Sequence, residues 1–259
     1  MISLNWLPET AFWFMLVFAR VGSILMLIPA LGESTIPARL RLTFALALSF
    51  VLYPLVSQLL PRMPESLAGL AVALGHEIII GLIIGTIARL AVTSAQTAGS
   101  IIAFQAGLSA AQAADPTNAG AQGALVGAFI SMLGVTLIFA TDLHHVAISA
   151  IYESYKVFSP SVPLMMGDAA TAVLDSVAKS FVIGIQMSAP FIVFGLVFHL
   201  GMGILGKLMP QLQVYFITMP ATVGVGLILM MLLLAVMMGL FLTHFEEVLA
   251  MLRGAGGTL

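Results

Sequence analysis

Histidines beside carboxylates are the residues of this sequence that come closest to a metal site. His76-Glu77 begins like the HExxH motif, in which two histidines one helical turn apart bind zinc and the glutamate is a general base. Ile80 occupies the position of the second histidine. No histidine recurs four residues after His144-His145 either, and Glu246-Glu247 fits a solvent-facing pair at a helix end. We therefore expect no metal and no cofactor.

Other catalytic classes also lack their residues. The chain contains no cysteine, which excludes thiol nucleophiles, thiolate metal ligands and disulfides. It contains neither the Gly-x-Ser-x-Gly turn of serine hydrolases nor a Gly-x4-Gly-Lys phosphate loop. The sequence predicts a protein that is not an enzyme.

Four charged residues stand within or beside long apolar segments: Arg20, Glu77, Arg89 and Asp142. A charge at the centre of a membrane helix costs roughly 2.5 to 3.5 kcal/mol, so such residues pair or line a pathway. Glu77 and Arg89 are separated by about 18 Å along one helix and cannot pair with each other. An interhelical ion pair is favoured over a proton or ion relay for these charges.

The composition assigns the chain to the membrane. Of 259 residues, 61% are hydrophobic and 8% are charged, with a mean hydropathy of +1.13. Soluble domains have roughly 25% charged residues, so a water-soluble globule is excluded. A net charge of -2 and the lack of any Lys/Arg cluster exclude nucleic-acid binding.

Long stretches without a charged residue predict an all-α, polytopic membrane protein of about six long helices arranged as hairpins. An α-helix needs about 20 apolar residues to cross the hydrocarbon core. The N-terminal segment is a retained helix rather than a signal peptide, because its first basic residue, Arg20, lies inside the apolar run. The uncharged stretches, each of at least 20 residues, are 42–61, 90–114, 116–141, 180–206 and 208–245.

Proline and glycine mark the helix ends. Breaks at 32–37 and 61–64 precede a third helix expected over 65–103, which at roughly 58 Å is longer than a bilayer requires. A fourth helix is expected over 124–155, and the last two helices should meet at 207–213. Lys and Arg divide almost equally between the two sides, which leaves the membrane orientation open.

The third helix carries small residues at every fourth position, a spacing that lets another backbone approach closely. We expect this face to be a helix-packing interface covered by another subunit. Its members are Ala91, Ala95, Gly99 and Ala103.

Six short motifs, in this order over nearly the whole chain, resemble the FliR/SctT family of export-gate subunits in flagellar and injectisome type III secretion. Four belong to the first hairpin, one follows the third helix, and one forms the last hairpin. They are Ala19-Arg20-Val21-Gly22, Ile28-Pro29-Ala30-Leu31-Gly32, 36–41 (IPARLR), Tyr53-Pro54, 104–109 (FQAGLS) with Asp115-Pro116, and 206–214 (GKLMPQLQV) with Met219-Pro220.

The resemblance implies two structural parts. Residues 1–168 are similar to FliP, and residues 169–259 are similar to the helical hairpin of FliQ, with Ala189-Pro190 in its first helix and Pro220 in its second. The turn of that hairpin is expected at Lys207, Pro210, Gln211 and Gln213.

The family resemblance also implies function, partners and location. It implies a subunit of a gate for unfolded flagellar export substrates, in the bacterial inner membrane at the flagellar basal body. Its expected partners are FliP and FliQ, with FlhB and FlhA, and its surface should contact lipid. An injectisome SctT homologue is the first alternative. A secondary transporter or channel for small solutes is a weaker one, because no repeat relates residues 1–130 to residues 131–259.

The segment 104–122 is predicted to be a plug in the export path rather than a plain connection. It is rich in Gly, Ala and Gln, and such a segment at membrane depth must be buried in protein or line an aqueous path. Phe104 is the expected apolar stopper, Gly107 and Gly120 the flexible ends. The other residues assigned to the plug are Gln105, Leu108, Ser109, Asp115, Pro116 and Asn118.

Overall fold

A computed structural model describes residues 7–29, 31–32, 36–108, 121–162, 164–209 and 214–254. Within these ranges the chain is helical and contains no β-strand. A single turn of 3-10 helix, Ser57–Leu59, follows the second α-helix. The α-helices are α1 (Leu7–Leu27), α2 (Ala38–Val56), α3 (Leu67–Gln105), α4 (Ala121–Ala140), α5 (Leu143–Val157), α6 (Met166–Leu208) and α7 (Val214–Leu252).

Five of these helices are long and apolar enough to cross a membrane: α1, α2, α3, α6 and α7. The bent pair formed by α4 and α5 raises the number to six if it counts as one span. The predicted fold class, an all-α polytopic protein of about six long helices, is confirmed.

The prediction of one continuous fourth helix over 124–155 is wrong. The chain bends by 78° between α4 and α5. Asp142 adopts a left-handed backbone conformation there, with φ of 59°. Aspartate tolerates this conformation better than most residues do, and neither proline nor glycine marks the break. The punctuation used to divide the sequence therefore could not reveal this bend.

Two of the three longest helices contain internal prolines. α6 has 43 residues and contains Pro190, and α7 has 39 residues and contains Pro220. Membrane helices tolerate proline because neighbouring groups satisfy the freed backbone carbonyl. Lys207 lies exposed in the last turn of α6. The other predicted turn residues, Pro210, Gln211 and Gln213, lie outside the described residues.

The helices form two compact units. The first combines Met1–Leu90, Phe139–Val177 and Phe245–Leu259, and the second combines Ala91–Ile138 and Ala178–His244. These units divide α3, α6 and α7 and do not follow a boundary at residue 168. The division into FliP-like and FliQ-like parts therefore stays a prediction.

In the first unit, α1 lies against α3 at very short range. A Cβ atom on Gly81 would lie 2.7 Å from the Arg20 carbonyl oxygen. A Cβ on Gly85 would lie 2.7 Å from the Cβ of Leu27. Only glycine allows this approach, so the two glycines fix where α1 crosses α3.

In the second unit, the strip of small residues on α3 is buried within the chain itself. A Cβ on Gly99 would collide with the backbone of Gly127 on α4. We expected another subunit to cover this strip, and that expectation is wrong at Gly99, where α4 covers it. Further along α4, Gly134 is similarly close to α7, because a Cβ there would lie 2.8 Å from the ring of Phe241.

Large apolar side chains remain exposed along the outer faces of the helices. α2 presents Phe50 and Leu55 in this way, and α6 presents Leu196 and Leu200. An apolar face of this extent on a membrane protein contacts lipid or other subunits.

Candidate functional site

A buried ion pair joins α1 to α3. The Arg20 guanidinium donates to both carboxylate oxygens of Glu77, with distances of 2.6 Å from Nε to Oε2 and 3.1 Å from Nη2 to Oε1. The side chains are 0% and 1% exposed. This two-point geometry is the strongest that an arginine and a carboxylate can form. The pair leaves neither charge open to lipid.

Helix α5 completes the surroundings of Arg20. The backbone carbonyl of Ser154 accepts a hydrogen bond from Nη1 at 3.1 Å, and the guanidinium carbon lies 4.2 Å from the ring centre of Tyr155. The Tyr155 hydroxyl reaches the carbonyl of Val17 on α1 at 3.4 Å. Arg20 thus connects α1, α3 and α5. The position of α5 in turn depends on the bend at Asp142, which sets the direction in which this helix begins.

His76 contacts the same ion pair from its outer side. Its Nδ1 lies 3.6 Å from Glu77 Oε1, and its Nε2 is buried without a hydrogen-bond partner in the described part of the chain. The same imidazole also lines a pocket in the first unit.

The other two charges singled out in the sequence lie elsewhere. Arg89 is exposed on α3, and Asp142 is exposed at the bend before α5. The Asp142 carboxylate lies 3.5 Å from Nδ1 of His145. Asp142, His144 and His145 offer ligand atoms within 4.8 Å of one another, so these side chains could hold a metal ion.

A surface ion pair links the end of α7 to α5. Arg253 Nε donates to Glu153 Oε2 at 2.8 Å. This hydrogen bond raises the pKa of the Arg253 guanidinium, and the attraction between the two charges raises it further by a smaller amount. Because both side chains are partly exposed, the pair contributes little to stability.

The start of the predicted plug is the C-terminal end of α3, which we call the loop root (residues 104–108). The amide of Ala106 donates to the Ile102 carbonyl at 2.8 Å, and the amide of Gly107 donates to the Phe104 carbonyl at 3.1 Å. Gly107 has a φ of +71°. A glycine in this left-handed conformation is a common way to end a helix, so the sequence itself sets where α3 stops.

The loop root packs against glycines and a threonine of α6 and α7. The Gln105 side chain lies against Gly195, where a Cβ would collide with its amide oxygen. A Cβ on Gly226 would lie 2.5 Å from the Cβ of Ala106, and one on Gly107 would lie 3.3 Å from the side chain of Thr222. The root is therefore held by close contacts from both long C-terminal helices.

Phe104 differs from its neighbours in the loop root. Its side chain is 67% exposed, although Ala103 before it and Ala106 after it in the sequence are buried. Leu108 is half-buried. The remaining predicted plug residues, Ser109, Asp115, Pro116, Asn118 and Gly120, lie outside the described residues.

Comparison with known proteins identifies the family. The family model described as "Bacterial export proteins, family 1" matches residues 11–248. The chain belongs to this family. The predicted relationship to the FliR/SctT family is thereby confirmed, because the matching relatives include flagellar FliR proteins and a translocation protein T.

The relatives within bacterial export proteins family 1 cover nearly the whole chain. The flagellar biosynthetic protein FliR of Caulobacter vibrioides is 45% identical over 90% of this chain and 93% of its own length. FliR of Bacillus subtilis is 30% identical over 86% of both chains. The Yop proteins translocation protein T of Yersinia pestis is 23% identical over 83% of both chains.

Proposed function

We propose that this chain is a subunit of the flagellar type III export gate, in the inner membrane at the flagellar basal body. The observation that carries the proposal is the 45% identity to a flagellar protein over nearly all of both chains. The injectisome alternative is weaker because the translocation protein of Yersinia pestis is only 23% identical. FliP- and FliQ-type subunits are the proposed partners, with FlhB and FlhA beside them.

The apolar surface supports a role inside a larger assembly. Exposed large apolar side chains occur on every long helix of the described chain, and lipid or neighbouring subunits must cover them. A subunit whose own core is closed by glycine contacts and by a buried ion pair can present these faces as rigid surfaces.

The buried charges argue against the alternative of a small-solute transporter. Ionisable residues on a transport pathway face a cavity or water. Arg20 and Glu77 are instead enclosed and satisfied by each other, by a backbone carbonyl and by an aromatic ring. These contacts favour a structural role for the pair.

The loop that follows the root is proposed to close the export path. Its root is held tightly between α6 and α7, while Phe104 projects from the root as an exposed aromatic side chain. Opening is proposed to require movement of this loop alone, as in enzyme lids that open on microsecond to millisecond timescales. Such a segment can open for an unfolded chain and close behind it.

Removing the chain from its bacterium tests the proposed function. We expect export of flagellar subunits to stop and to return when the intact chain is restored. The measurement is the amount of flagellar subunits in the culture medium. Undiminished export without the chain would reject the proposal.

Deleting Ala110 to Ala114 tests the closure by the loop separately. We expect the assembly to form normally, because the contacts of the root are retained, and the inner membrane to leak ions. Conductance of the assembled complex in planar bilayers measures the leak. An assembled deletion variant that conducts no more than the unaltered complex would show that this loop does not close the path.

A further inference from the structure

A pocket of about 430 Å³ opens in the first unit. Its walls combine the N-terminal half of α3, the connection from α5 to α6, the start of α6 and the end of α7. Ile80, Ile83 and Ile87 form an apolar wall on α3, and Met251 and Leu252 face it from α7. Sites for small molecules have volumes of roughly 300 to 1,000 Å³, so the pocket is large enough for a ligand.

Four polar side chains also line this pocket: His76, Lys156, Ser159 and Asp168. Lys156 lies in the last turn of α5 and Asp168 in the first turn of α6, and both are exposed. His76 supplies an imidazole whose Nε2 is buried and lacks a hydrogen-bond partner in the described ranges, and Ser159 supplies a hydroxyl. The pocket thus combines an apolar interior with one cation, one anion, an imidazole and a hydroxyl.

The position of the two charges indicates how a ligand would lie. Both occupy helix ends that border the short connection from α5 to α6, and helix ends of membrane spans lie near the headgroup region. The isoleucine wall belongs to α3, a helix that can span the membrane. A ligand with a charged head at Lys156 and Asp168 and a hydrocarbon tail along the isoleucines matches this arrangement.

We propose that the pocket binds one phosphatidylethanolamine molecule, with an acyl chain along the isoleucine wall. Its phosphate fits the ammonium of Lys156, and its primary ammonium fits the carboxylate of Asp168. The imidazole of His76 lines the same pocket as these two charges and the isoleucine wall's first residue, Ile80. Phosphatidylglycerol has no cation for Asp168, and the quaternary ammonium of phosphatidylcholine cannot donate a hydrogen bond.

Native mass spectrometry of the complex that contains this chain tests the proposal. The complex is placed in nanodiscs made from equal amounts of the three lipids and is then released with its retained lipids. Ala172→Phe fills the pocket, because Ala172 lines it. Ala170→Phe is the matched control, since Ala170 lies exposed one half-turn away and does not line the pocket.

We expect phosphatidylethanolamine to be retained in preference to the other two lipids. Ala172→Phe should lower this retention at least about tenfold through loss of acyl-chain burial, while Ala170→Phe leaves it unchanged. Asp168→Asn should remove the preference over phosphatidylglycerol, and Lys156→Gln should weaken the retention of both lipids. The variant Lys207→Gln controls for the general loss of a surface cation.

Three outcomes would overturn the proposal. Equal retention of the three lipids would show that the headgroup contacts are wrong. Undiminished retention in Ala172→Phe would show that the lipid lies elsewhere on the surface. Loss of a partner subunit from Ala172→Phe, without loss of lipid, would assign the pocket to a protein side chain of that subunit.

Discussion

Glu77→Leu is expected to destabilise the chain by about 3 to 5 kcal/mol, the usual effect of removing one partner from a buried ion pair. The substitution leaves the Arg20 guanidinium enclosed, and its remaining polar and aromatic contacts within the described residues are the Ser154 carbonyl and the Tyr155 ring. Arginine cannot lose its proton to escape this situation. The unfolding midpoint of the detergent-extracted complex that contains this chain, and the amount of assembled complex recovered, measure the effect.

Replacing the arginine instead of the glutamate provides a comparison within the same ion pair. Arg20→Met should be milder than Glu77→Leu, because a stranded carboxylate can take up a proton and become neutral. The double variant Arg20→Met/Glu77→Leu should recover much of the stability lost in Glu77→Leu, since apolar residues replace the charges together.

An exposed carboxylate serves as the matched control. Glu153→Gln breaks the surface pair with Arg253 and should change the unfolding midpoint little. If Glu77→Leu were as stable as the unaltered chain, or if the double variant were no more stable than Glu77→Leu, the ion pair would not hold α1 to α3.

Gly226→Leu is expected to displace the loop root from α7 and to open the closed gate. Even a Cβ atom at this position would lie 2.5 Å from the Cβ of Ala106, so a leucine side chain must push the root away. Overpacking of this kind typically costs about 1 to 3 kcal/mol. The leak should resemble that of the loop deletion, and bilayer conductance of the assembled complex measures it.

Gly224→Leu is the control on the same helix. A Cβ on Gly224 would meet nothing within 4 Å, so the substitution adds the same side chain without touching the root. A Gly226→Leu complex that is as tight as the Gly224→Leu complex would show that the root contact does not keep the gate closed.

The sequence predicted the features that depend on local chemistry. Apolar stretches of span length, ended by proline and glycine, indicated the long helices, and α3 was expected over 65–103 where the structure has Leu67–Gln105. Arg20 was expected to form an interhelical ion pair because an isolated charge inside an apolar helix is too costly. The residues around Arg20 in the sequence show that it requires a partner, but they do not show which residue that partner is.

The features that the sequence did not reveal depend on contacts between distant residues. Glu77 is 57 positions from Arg20, and no spacing rule links them. Gly195 and Gly226 support the loop root, yet they are two of 24 glycines in a chain where small residues are common. The bend at Asp142 occurs at a residue other than glycine or proline in the left-handed conformation, so the punctuation of the sequence does not mark it.

Mass spectrometry of the native complex, extracted in detergent through a tag on this chain, tests the central claim most directly. That claim is that the chain is a subunit of an export gate and not a transporter that works alone. The predicted result is a defined assembly that contains FliP- and FliQ-type subunits together with this chain. Recovery of the chain as a stable monomer or as an assembly of identical copies only would contradict it.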